Sequence, residues 1–95
     1  MTKLNQILHQ ELRLAIMSYL VNIEWADFKK LIEITKASKG NLSVQISKLQ
    51  KEGYLEVKKS FKSNYPHTEC KVTELGKKEF EAYLKSLKQM LNIWL

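Results

Sequence analysis

The 95-residue sequence has one cysteine (Cys70), one proline (Pro66) and three glycines, which stand far apart at positions 40, 53 and 76. A lone cysteine cannot close an internal disulfide, which excludes a small stapled secreted fold. Scattered glycines exclude a glycine-rich phosphate loop, and a single proline excludes a proline-rich linker. No apolar run approaches the roughly 18 residues of a membrane span. Met1–Leu8 lacks the long apolar centre and small-residue cleavage site of a signal peptide, so the chain is expected in the cytoplasm. Arginine is almost missing too: Arg13 stands alone against fifteen lysines.

Hydrophobic residues make up 44% of the chain and charged ones 27%, the balance of an ordinary globular protein rather than a disordered one. The length suits one domain, residues 1–95, whose core would be marginal alone and would gain from pairing with a second copy. The formal charge is +6 and unevenly spread. Residues 1–28 carry a net −1, residues 29–71 a net +6 and residues 72–95 a net +1. A basic middle segment points to an anionic partner, with nucleic acid before a membrane surface. Solubility charge is the plainer explanation, and composition alone does not separate the two. Catalysis has no foothold: there is no carboxylate pair in an apolar run and no nucleophile elbow. No enzyme and no cofactor is expected.

Apolar positions Leu4, Ile7, Leu8, Leu12, Ile16 and Leu20 predict one helix over about 4–21, with a bend where His9–Gln10–Glu11 interrupts them. Residues 21–25 read as a connector. Asp27 can cap a second helix that ends near Ile34, with Phe28, Leu31 and Ile32 inward and Lys29 and Lys30 outward. Thr35–Lys36–Ala37 forms a turn. Ser38 then caps a third helix, about Lys39 to Lys51, with Leu42, Ile46 and Leu49 on one narrow stripe, and Gly53 stops it. Beyond Gly53 the apolar period falls from 3.6 to 2. Leu55 and Val57, then Cys70 and Val72, mark two strands of a hairpin whose tip is Lys62–His67. Thr73 caps a long last helix, about 73–95.

Helix, helix, tight turn, helix, hairpin, helix is the order of a winged helix-turn-helix: mostly α, with a small β-hairpin. A thirteen-residue third helix anchored by one thin stripe must show its remaining surface to something, and the major groove is wide enough to admit it. Gly40, Ser43, Val44 and Ser47 are small enough for close approach, and Lys39, Lys48 and Lys51 bring positive charge.

Gly40-Asn41-Leu42-Ser43 heads the third helix, Gly53-Tyr54-Leu55-Glu56-Val57 leaves it, and Val72-Thr73-Glu74-Leu75-Gly76 opens the last one. With Arg13–Leu20 and Asp27–Leu31, these segments resemble the small winged-helix transcriptional regulators related to the MarR and ArsR groups, over about residues 4–85. The resemblance implies a homodimeric, repressor-like protein bound to double-stranded DNA. It places Ser38, Lys39, Gly40, Asn41, Ser43, Val44, Ser47 and Lys48 on the DNA-facing helix. Lys58, Lys59, Lys62, Ser63 and Asn64 match the wing. Relatives often have Arg or His where this chain has Val44 and Gln45, and often Arg in the wing.

Bidentate Arg–guanine pairing is the commonest specific base contact, and neither element has an arginine to make it. Base reading would fall to Asn41, Gln45, the serines, a Val44 contact to a thymine methyl and DNA shape, giving modest specificity, with A·T-rich sites expected, over a salt-dependent affinity. In the last helix Phe80, Leu84, Leu87, Leu91 and Trp94 follow a coiled-coil-like step, and with Leu4 and Leu8 they are the expected dimer contact.

His9, His67 and Cys70 are the soft metal ligands of the sequence; His67 and Cys70 form a loose pair on the hairpin, and the ArsR relatives include metal sensors. Elsewhere the sequence lacks metal-ligand spacing, so no metal is expected and both residues read as ordinary hairpin positions. Tyr19, Trp25, Phe28 and Tyr83 are read first as core and second as lining for a small-molecule effector. The competing function is a winged-helix protein–protein interaction module that does not bind DNA.

Overall fold

The computed structural model describes residues 3–92. Its elements, in chain order, are α1 (Glu11–Leu20), β1 (Ala26–Asp27), α2 (Phe28–Thr35), α3 (Lys39–Lys51), β2 (Leu55–Lys62), β3 (Tyr65–Val72) and α4 (Glu74–Leu91). Three predicted caps form as expected. Asp27, Ser38 and Thr73 each accept a hydrogen bond from the backbone N–H three residues on, satisfying donors that open α2, α3 and α4. Such a cap stabilises its helix by about 1 kcal/mol. At the end of α3, Gly53 takes φ +87°. Its N–H donates to the Gln50 carbonyl and that of Tyr54 to the Leu49 carbonyl, the paired bonds of a Schellman turn.

The first helix is shorter than the apolar pattern suggests. Asn5 Oδ1 accepts from the backbone N–H groups of Ile7 and Leu8, closing a separate turn. Gln10 is extended and caps α1 through its own side chain. The chain therefore breaks inside the stretch where a bend was expected. Asn5 Nδ2 also donates to Tyr54 Oη, and His9 Nδ1 lies 2.9 Å from Tyr83 Oη, so this segment is tied to the exit of α3 and to α4.

Leu4, Leu8 and Phe80, expected at a dimer contact, lie instead in the chain's own core with Ile16, Leu20, Leu31, Leu42 and Leu49. Leu8 is fully buried. The tied-down segment folds these side chains inward, where they close the core over α1 and α4.

The sheet has three strands in the order β1-β3-β2, all antiparallel. Ala26, Cys70 and Val57 form one row across it. The hairpin turn is tighter than the Lys62–His67 tip predicted: only Ser63 and Asn64 lie outside the strands, both with positive φ. Two such residues match the right-handed twist of the flanking strands. Pro66 sits within β3 opposite Phe61, which is tolerated because β1 pairs no further than Glu69 and leaves that edge open.

Among the described residues, no helix is long and apolar enough to cross a membrane. The first half of α4 packs on the core through Gly76, Phe80 and Tyr83, while Leu84, Met90 and Leu91 are exposed. The molecule is 51 Å long against 25 and 22 Å in the other directions.

Candidate nucleic-acid interface

The turn between α2 and α3 is built locally. Lys36 adopts the left-handed conformation, and its N–H closes α2 on the Ile32 carbonyl. Thr35 Oγ1 accepts from the N–H of Ala37, and Ser38 then starts α3. Leu42, Ile46 and Leu49 bury their side chains and hold the helix by one edge. Ser38, Lys39, Gly40, Asn41, Ser43, Val44, Ser47 and Lys48 are all exposed, as are the wing residues Lys58, Lys59, Lys62, Ser63 and Asn64. Lys39 at the head of α3 and Pro66–Thr68 of the wing border a shared hollow of about 490 Å3, floored by Phe28 and Ile32.

Charge on this surface is left uncompensated. Among the described residues the ion pairs with acidic side chains engage Lys30, Lys71 and Lys77, and none of Lys39, Lys48, Lys51, Lys58, Lys59 and Lys62. Lys58 instead lies 5.7 Å from the Trp25 ring centre, with Lys71 at the same distance. A cation over an indole ring keeps its charge, so Lys58 remains electrostatically available to a phosphate.

One predicted contact is corrected. Gln45 is 8% exposed and lies between Leu42 and Leu49 on the buried edge of α3. Its side-chain oxygen accepts from Arg13 at 2.5 Å and its nitrogen donates to Asn41 Oδ1 at 3.0 Å. Gln45 has no free face for a base. Arg13, also buried, donates through Nε to the Ile7 carbonyl at 2.6 Å. The single arginine is thus an internal fastening between the N-terminal turn, α1 and α3. Its signal was in the helical spacing: positions 42, 45, 46 and 49 share one stripe, as do 13, 16, 17 and 20.

The sequence marks Tyr65 first as a wing-tip turn residue and second as a contact to sugar or base, and gives Phe61 no such role. Phe61 and Tyr65 are 76% and 74% exposed beside the hairpin turn. Phe61 opposes Pro66 and Tyr65 opposes Lys62, so they occupy opposite faces of the wing. Strand periodicity alone did not mark them, because the pairing that fixes their faces depends on the length of the turn.

The remaining chemistry separates in space. His67 faces Glu69 across 3.7 Å at the surface, whereas Cys70 points into the core from the other face of β3. Burial pushes the Cys70 thiol up to about 11, which keeps it protonated and a poor ligand at neutral pH. The four aromatic residues considered for an effector site do not gather. Phe28 lines the hollow beside the wing, Tyr83 lines a different one with Lys3 and Asn5, Trp25 lies against Lys58 and Lys71, and Tyr19 packs against the core.

Residues 12–91 match the family described as winged helix DNA-binding domain. The chain belongs to that family. An uncharacterized protein of Methanocaldococcus jannaschii is 29% identical to it over 85 residues, covering 90% of this winged helix chain and 92% of the relative. A solved transcriptional regulator homologue from Pyrococcus horikoshii superposes with a TM-score of 0.84 at 28% identity, covering 93% of this chain and 87% of that one. NadR, solved in complex with 4-hydroxyphenylacetate, shares the fold with a TM-score of 0.70 at 20% identity, over 93% of this chain and 62% of its own. The protein is a winged-helix DNA-binding regulator, and α3 with the hairpin are its helix and wing.

Proposed function

We propose that the protein acts as one domain in a homodimeric repressor of transcription, with α3 in the major groove and the wing on the backbone or minor groove of double-stranded DNA. The observation that carries this reading is the exposed ridge of α3: small side chains flanked by Lys39, Lys48 and Lys51, none of them paired with an acidic side chain among the described residues. Phosphate contacts from Lys39, Lys48 and the wing lysines supply affinity without sequence information. We read it as a binding protein rather than an enzyme.

The test is a titration of duplex binding against salt. With about six to eight phosphate contacts over a dimer, log affinity falls against log salt with a slope near −5 to −7. Binding to no duplex at low salt would instead favour the protein-interaction module.

Dimerisation is supported by the outer half of α4. Leu84 and Leu91 are exposed and Leu87 is half-covered, at steps that put all three along one side of the helix. Trp94, also expected there, lies outside the described residues. Leu84→Lys with Leu91→Lys is expected to convert a dimer to a monomer in sedimentation at micromolar concentration. A wild-type chain that is already monomeric there would remove this part of the proposal.

A further inference from the structure

Among the groups on the ridge of α3, Asn41 is held in a particular way. Its Oδ1 accepts from Gln45 Nε2, one helical turn on, and Gln45 Oε1 accepts from Arg13. The two ends of an amide look alike in shape, and their assignment follows from their partners. Here the partners leave one choice. A guanidinium only donates, so the Gln45 oxygen must face Arg13. The Gln45 nitrogen must then face Asn41, so Asn41 must answer with its oxygen. Its Nδ2 group is turned away from Gln45, on an exposed residue in the first turn of α3. Arg13 and Gln45 are themselves buried, so the bond that fixes the Gln45 amide is shielded from water.

We propose that Asn41 discriminates bases in the major groove as a hydrogen-bond donor, and that Arg13 and Gln45 are the positioning residues that fix its amide. This rests on the reading of α3 as the helix that enters the groove. A donor matches thymine, which presents O4, and guanine, which presents N7 and O6. It opposes cytosine, whose edge offers only the N4 amino group. The chain therefore reads a base without arginine on its DNA-facing helix: its one guanidinium acts at second hand, by orienting an amide.

The experiment begins with selection of bound sites from random duplexes by the wild-type protein, followed by affinities for all four bases at each position. One position per half-site is expected to favour thymine or guanine over cytosine by about tenfold. Asn41→Asp replaces the outward donor with an acceptor, and the ranking there reverses in favour of cytosine. Gln45→Glu still accepts from Arg13 but no longer donates, so Asn41 turns its Nδ2 inward, presents Oδ1 and gives the same reversal. Asn41→Ala levels that position alone. A merely structural role for Gln45 would lower stability or affinity without reversing a base ranking.

Side-chain amide hydrogen exchange in the unmodified protein reads the same orientation without any variant. The Gln45 NH2 is expected to be protected and the Asn41 NH2 to exchange freely. Unchanged rankings in Asn41→Asp and Gln45→Glu overturn the proposal, as does protection of the Asn41 NH2 in place of that of Gln45. Binding to no duplex at low salt overturns the reading of α3 and this proposal with it. Tight binding with unaltered rankings overturns this proposal only.

Discussion

Replacing Lys39 and Lys48 together by alanine is expected to weaken duplex binding by roughly a hundred- to a thousandfold near 0.15 M salt, while thermal unfolding stays unchanged. Both side chains are exposed and neither pairs with an acidic side chain among the described residues, so the fold loses nothing when they go. Each phosphate contact adds about 0.9 to the salt slope, so four lysines lost from the proposed dimer flatten it by about 3.6. The slope is the more telling measurement. A loss of affinity at constant slope would mean that these lysines act on something other than phosphates. Intact affinity would show that α3 is not the docking element.

The largest effect on stability is expected at Gly76, in the first turn of α4. A Cβ placed there would stand 2.4 Å from the Tyr54 carbonyl oxygen and 3.0 Å from Val72 Cγ1. The first neighbour is backbone, and its oxygen already accepts from the Thr73 N–H at 3.0 Å. The clash cannot be relieved by turning a side chain. Gly76→Ala must push α4 off the sheet or break the Thr73 bond, at a cost of about 3 kcal/mol. For a chain of this size that lowers Tm by about 15 °C. Gly40→Ala is the matched control: nothing lies within 4 Å of a Cβ at that position. It should leave Tm equal or raise it by a few degrees through helix propensity. Equal effects at the two glycines in thermal unfolding would refute the close approach at Gly76.

The two glycines show what a sequence conceals. Both stand near helix starts, and nothing in their immediate neighbours separates one from the other. Gly76 matters because a carbonyl 22 positions earlier in the chain passes over it. Gly53, by contrast, was legible as a helix stop, because the left-handed turn it makes is a local event.

The same division runs through the site. The ridge of α3 and its cationic flanks could be read from one narrow stripe of Leu42, Ile46 and Leu49. The polarity of Gln45 suggests a base contact, but its place on that stripe buries it. Leu4, Leu8 and Phe80 show the opposite case: apolar spacing shows that a face is covered, not whether its own chain or a partner covers it. The two-residue strand β1 has no periodicity at all and exists because β3 offers it a free edge.

What the amino-acid order determined by itself was everything governed by neighbours within about a turn: the caps at Asp27, Ser38 and Thr73, the stop at Gly53, the periods of α2, α3, α4 and the hairpin, and the basic middle of the chain. What only the tertiary structure decided was which distant groups meet. It buried Arg13 against Gln45, turned the Asn41 amide, closed the core with the N-terminal turn and left Leu84, Met90 and Leu91 of α4 exposed. Local structure follows from torsional preference and short-range hydrogen bonds, which the sequence spells out. A contact between residues 13 and 45 depends on how two helices cross, and that is set by the packing of the core as a whole.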